Sequence, residues 1–223
     1  MRVAGAPSWR LEEKSSQLCE IALFVRDAAG LPVASDVPPL TGVLPDLSTI
    51  VDDDTRDATH GQWHEWWRQI LEFEFRDRSD VQDNLDNADG RQVHARRLIL
   101  ERQDICDPPE FNCLAERPGL RDAARASFDS FTQWNSQRPA PGQDGRPHSP
   151  LDWSLMKQVA EDVAFDRHVS LDAVQAKVAV LPVRGTWWRR VAPGAALCSP
   201  AAAADPQTAH ALLRDAFDSY VLR

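Results

Sequence analysis

Lysine is nearly missing from this chain. Among 223 residues only Lys14, Lys157 and Lys177 occur, so arginine supplies almost all of the 25 basic charges. That bias points to a GC-rich, bacterial type of coding genome and to no mechanism. The four cysteines, Cys19, Cys106, Cys113 and Cys198, form no CxxC pair and no regular framework. Buried free thiols in a reducing compartment are the expected state. Spacing alone does not establish a Cys106–Cys113 disulfide. Long apolar runs are lacking too. The longest stretch is Ile21–Val25, whereas a membrane-spanning helix needs roughly 20 apolar residues. Met1 to Lys14 has no apolar core of a signal peptide, and the expected location is the cytoplasm. No GxSxG, Walker A or GxGxxG motif occurs, which removes the usual hydrolase, NTPase and dinucleotide readings. No catalytic residue is identifiable, and no cofactor is expected beyond a divalent metal at one site discussed below.

What is present is a globular composition, with 43% apolar residues, and an uneven charge. The formal net charge is −9. Residues 46–90 hold 13 acids and four bases, so this one segment carries the whole surplus, while 1–45 and 91–223 are close to balanced. Such a field repels nucleic-acid phosphates and suits a cationic partner or a metal ion.

The pattern predicts helices first. One is expected over Trp9–Ala28, capped by Ser8, with Leu11, Leu18, Ile21, Ala22 and Val25 at helical spacing; Ile21–Val25 also reads as a buried strand. Prolines 32, 38, 39 and 45 make 31–54 irregular. Its apolar residues Leu40, Val43, Leu44, Leu47, Ile50 and Val51 suggest that it lies on the body.

The clearest element begins at Thr59, where Thr59 and Gln62 fit a capping box. Trp63, Trp66, Trp67, Ile70 and Leu71 then share one helical face. Three indoles bury about 150–250 Å² each, on the order of 10 kcal/mol of gross stabilisation at about 25 cal/mol/Å². A basic helix follows over Arg91–Asp104, its apolar positions Val93, Leu98, Leu100 and Ile105 imperfectly periodic. Another helix runs over Gly119–Gln137, with Leu120, Ala124, Phe128, Phe131 and Trp134 inward. Arg138–Ser149 reads as an exposed loop.

Ser149-Pro150 is expected to open a further helix, and Ser170 a short one through Lys177. Segments 178–183, 186–191 and 195–199 then read as three strands, with Arg184-Gly185 and Pro193-Gly194 as turns. Asp205-Pro206 starts the last helix, whose stripe Ala209, Leu212, Leu213, Ala216, Tyr220 and Val221 should cover the sheet. The expected fold is α+β, predominantly helical, with a small C-terminal antiparallel β-meander covered by the last helix. It forms one domain over 1–223, or subdivides into 1–138 and 149–223.

Several constellations invite chemistry. His60 and His64 stand at i and i+4, the spacing at which two imidazoles share a metal on a helix. Asp54 and Asp57 lie just upstream. His60, His64 and Asp57 are therefore the candidate metal ligands of a metal-dependent hydrolase, with metal-activated water as nucleophile. The helical HExxH signature is absent, and both histidines can equally edge the Trp stripe. Asp83, Asp86, Asp89 and Gly90 suggest a calcium loop, but an EF-hand with Gly90 at position six would end on Arg96 instead of Glu. Glu12-Glu13-Lys14 contains the Glu-x-Lys tripeptide of many nucleases, and sits in a predicted helix with no strand to present it. Cys113 has His94 upstream with nothing to link them, so it reads as a structural thiol.

Arg184, Trp188, Arg189 and Arg190, with Trp187, make a basic aromatic hairpin, a candidate interaction surface. It resembles a nucleic-acid stacking platform or, after a Ser170–Lys177 helix, the wing of a winged helix. The acidic total disfavours nucleic acid. The hairpin and the acidic 46–90 segment could instead complement each other, within a monomer or between two copies. The functional expectation is a non-catalytic interaction or accessory protein with a charge-segregated surface, acting on a protein partner or by self-association, away from membranes. The hydrolase and the winged-helix binder are the alternatives.

Overall fold

A computed structural model describes residues 8–32, 36–76, 88–138 and 150–221. In chain order these form β1 (Arg10–Lys14), α1 (Gln17–Ala28), α2 (Arg56–Phe75), α3 (Ala88–Gln103) and α4 (Pro118–Ser136). There follow α5 (Trp153–Arg167), β2 (Gln175–Val180), β3 (Trp188–Ala192), β4 (Ala195–Cys198), α6 (Pro200–Ala204) and α7 (Pro206–Val221). The class is the expected one, mostly helical α+β, with three of four strands in the C-terminal half. Contacts divide the chain into two compact units. The described residues of 17–36 and 42–138 form a helical unit, and the remaining described residues form a sheet unit. Among the described residues no helix is long and apolar enough to cross a membrane.

In the helical unit α1 packs on α2 and α4, and α2 packs on α4. The tryptophan stripe points inward: Trp63 and Trp66 are 0% exposed and Trp67 4%. Burying an indole N–H without an acceptor is costly, and two of the three find backbone carbonyls. Trp63 Nε1 donates to Ala22 O at 2.7 Å, and Trp66 Nε1 donates to Ile105 O at 2.7 Å. Trp63 and Trp67 stack with 9° between their planes. Arg26, fully buried, pairs with Asp27 at 2.7 Å and lies 5.5 Å from the centre of the Trp63 ring.

Helix α2 begins earlier than the capping box implied. Its first residue is Arg56, and Thr59 is buried one turn inside. Thr59 meets α4 instead: a Cβ built on Gly119 would lie 2.8 Å from Thr59 Oγ1, so glycine is what permits the approach. The start of α2 is held by Arg56. Its guanidinium donates to the carbonyls of Ala29, Gly30, Ser48 and Val51 at 2.9–3.3 Å, and to Asp53 Oδ1. The described residues of segment 31–54 hold no α-helix and only short 3-10 turns, with Leu40 and Val51 buried but Val43 95% exposed.

The sheet unit corrects four expectations. The Trp9–Ala28 helix is two elements, because Arg10–Lys14 is a strand that pairs in parallel with β2. The Ser170–Lys177 helix is a single 3-10 turn, Leu171–Ala173, followed by β2. Asp152, not Ser149, caps α5 by accepting from Leu155 N at 2.8 Å. The antiparallel meander is a mixed sheet of order β1-β2-β4-β3, in which only β3 and β4 are antiparallel. Leu181 N donates to Cys198 O and Ser199 N to Trp187 O. The chain leaving β2 thus passes beyond β4's place before turning back into it. The β3–β4 turn is Pro193-Gly194, as expected. Gly194 has φ +71°, and a Cβ there would meet Tyr220 at 2.6 Å.

One face of the sheet carries Ala176, Val178, Ala196 and Cys198 against α5, α6 and α7. Asp205 caps α7 through Thr208, and Ala209, Leu212, Leu213 and Ala216 are buried beneath it.

Candidate interaction surface

Helix α3 consists largely of strong helix formers, and Arg97 pairs with Glu101 at i,i+4. Its C-terminal end is anchored. Trp66 holds Ile105 O, and Arg102 donates to Gln17 Oε1 at 2.9 Å. Among the described residues, α3 makes no extensive packing with another element. Leu98 and Glu101 are half-buried on its inner side. Val93, Arg96, Arg97 and Leu100 fall at i, i+3, i+4 and i+7, and all face out, with Ile99 beside them. Val93 is 69% exposed, Ile99 59% and Leu100 53%. Apolar residues on two sides of one helix are why its period looked imperfect in the sequence. That irregularity is the sequence signal of an outward apolar face.

A second exposed region of the same unit has the opposite charge. Asp46, Asp52, Asp53, Asp54 and Asp57 are all exposed, beside Val43 and Ile50. The geometry is fixed by local bonds. Asp46 Oδ1 accepts from Ser48 N, and Asp52 Oδ1 from Asp54 N. The side-chain and backbone hydrogen bonds from Ser48 hold the Asp46 carboxyl below its ordinary value. Arg56 pairs with Asp53 at 2.9 Å besides its backbone carbonyls, which leaves Asp46, Asp52, Asp54 and Asp57 to keep the cluster acidic. Among the described residues, none of these five carboxylates meets Arg96, Arg97 or Arg102.

The basic hairpin is more committed than its sequence suggests. Arg184 donates to Leu40 O at 3.0 Å, and Arg190 pairs with Asp215 at 3.2 Å. Trp188 packs against the core of the sheet unit, and Arg189 is half-buried. The Ser170–Lys177 helix of the winged-helix reading is replaced by a 3-10 turn and strand β2. Arg190 borders an open groove of about 640 Å³ with Arg167, Asp215, Asp218 and Ser219. Its charges neutralise one another. Burial pushes Asp218 up, but Arg167 and Arg214 outweigh it and hold the carboxyl below its usual range.

His60 and His64 do come together, edge to face, with ring centres 4.4 Å apart. Asp57 stands exposed one turn earlier. Among the described residues no three His, Cys, Asp or Glu side chains converge as a metal site. Among the described residues His60 Nε2 is buried with no hydrogen-bond partner, and His64 lies against Trp63. Burial, then the neighbouring His60 and Arg26, lowers the pKa of His64 below its ordinary 6.5. Folding therefore favours neutral His64. Its contribution to stability is full above pH 6.5 and is lost as pH falls from there through the folded value. We expect the unfolding midpoint to fall on going from about pH 7 to about pH 5, and to fall less in His64→Gln. Equal slopes for the two proteins would refute this assignment.

Glu12-Glu13-Lys14 lies on a strand after all. The register sets Glu12 beside Lys177 on β2, an opposite-charge cross-strand pair. Burial pushes the thiols of Cys106, Cys113 and Cys198 up to about 12, and the four cysteines are free. The calcium-loop residues Asp83 and Asp86, the side chains of Asp89 and His94, and the 139–149 loop lie outside the described residues. Compared with family models, curated proteins and solved structures, the chain finds no match.

Proposed function

We propose that this chain is a non-catalytic interaction protein that meets its partner through the outer face of α3. What supports the reading is the clustering of Val93, Ile99 and Leu100, each more than half exposed, between arginines on an anchored helix. Scattered exposed aliphatic residues are ordinary, but three on the outer side of one anchored helix, set among arginines, make a surface suited to a partner. Charge-segregated surroundings add steering to that apolar contact.

The test replaces Leu100 with a photo-crosslinking phenylalanine analogue in cells. A covalent adduct with a second polypeptide is the expected result. The same analogue at Phe165, 78% exposed on α5, supplies the background. An adduct yield at position 100 no greater than at position 165 would overturn the reading.

A further inference from the structure

We infer that the partner of α3 is a second copy of this chain, each copy laying its α3 on the acidic 43–57 segment of the other. The inference rests on the interaction reading above and adds the occupant. Two exposed surfaces of the helical unit both carry aliphatic residues and are opposite in charge. One presents Arg96 and Arg97 among Val93, Ile99 and Leu100. The other presents five aspartates beside Val43 and Ile50. Apolar contact sets the seat and opposite charge sets the orientation. Within one chain the two surfaces leave each other exposed: Asp53 pairs locally with Arg56 and Arg97 with Glu101, while Arg96, Asp54 and Asp57 stand exposed.

Anionic nucleic acid and lipid headgroups are the weaker fit. Large aliphatic side chains interrupt the arginines, and the net charge of −9 repels a polyanion. A two-fold arrangement suits the size of the contact. A 16-residue helix is only about 24 Å long, and one such contact falls short of the roughly 800 Å² per partner of a stable interface. Two-fold symmetry makes the contact twice and closes the assembly.

Sedimentation of the full chain tests this. Wild type should double in mass with rising concentration at low salt, and return to monomer at about 1 M salt, where charges are screened beyond about 3 Å. Reversing either surface, as Arg96→Glu with Arg97→Glu or as Asp54→Arg with Asp57→Arg, should keep the chain monomeric. Combining both reversals in one chain should restore the dimer, a rescue that a misfolded variant cannot show. Among the described residues the side chains of Asp54 and Asp57 make no hydrogen bond or ion pair, and reversing Asp57 in the first turn of α2 should cost only about 1 kcal/mol. Wild type that stays monomeric at every concentration and salt overturns the inference. If position 100 still crosslinks in that case, to a chain of different mass, the interaction reading stands and only the identity of the partner is wrong. A dimer that survives both single reversals also overturns the proposed seat.

Discussion

Trp63→Ala should cost the helical unit about 5 kcal/mol, more than any other single truncation considered for this chain. Removing a buried indole costs about 3–5 kcal/mol through lost transfer energy and the cavity left behind. Losing its donor leaves Ala22 O, in the interior of α1, without the side-chain bond it now accepts, which costs about 1 kcal/mol more. Stacking on Trp67 and the overlying Arg26 guanidinium are lost as well. Domain stabilities run at about 5–15 kcal/mol, so the helical transition in far-ultraviolet circular dichroism should move to much lower denaturant. Trp153→Ala is the control, because Trp153 is 65% exposed; it should cost under about 1 kcal/mol. A Trp63→Ala loss of that same small size would mean that α2 is not the spine of the unit.

Arg56→Lys should behave as a severe change although it conserves charge. The guanidinium reaches four carbonyls on three separate stretches, the end of α1, the 48–50 turn and the entry to α2. A single ammonium has three donors at one point and cannot span that fork. Hydrogen bonds to a charged group contribute about 1.5–3 kcal/mol each, so losing one or two makes a drop of about 2–4 kcal/mol reasonable. Faster amide exchange should be confined to 48–56, where the chain has little else to hold it. A lysine variant with native stability and native exchange would show that charge alone suffices there.

These two residues also mark the limits of what the chain order reveals. The Trp63–Leu71 stripe, the Leu120–Trp134 face and the Asp205-Pro206 start of α7 are local patterns, and each was readable because its evidence lies within a few turns of itself. Arg56 was not readable, since its acceptors come from residues 29 to 51 and carbonyls have no sequence signature. Thr59-His60-Gly61-Gln62 looked like a cap because the local alphabet of caps does not record that Gly119 lies close by. Strand β1 was read as helix for a similar reason: Leu11 and Leu18 happen to be seven apart, and the partner that makes Arg10–Lys14 a strand lies at Gln175. The hairpin's basic residues were legible, but not the carbonyl and carboxylate that occupy Arg184 and Arg190. The acidic bias of 46–90 was legible as a sum. The outward apolar face of α3 was not, because only the folded helix shows Leu98 turned in and Leu100 turned out.

The place of β1 has a consequence for how the protein is made. All of the residues from 17 to 138 leave the ribosome before the first residue of β2 does. At about 5–20 residues per second, a gap of 165 residues between Arg10 and Gln175 keeps the nascent β1 waiting for roughly 8–33 s. Its charged run Glu12-Glu13-Lys14 suits that interval, because a charged strand is a poor template for stray pairing with neighbouring chains on the same messenger.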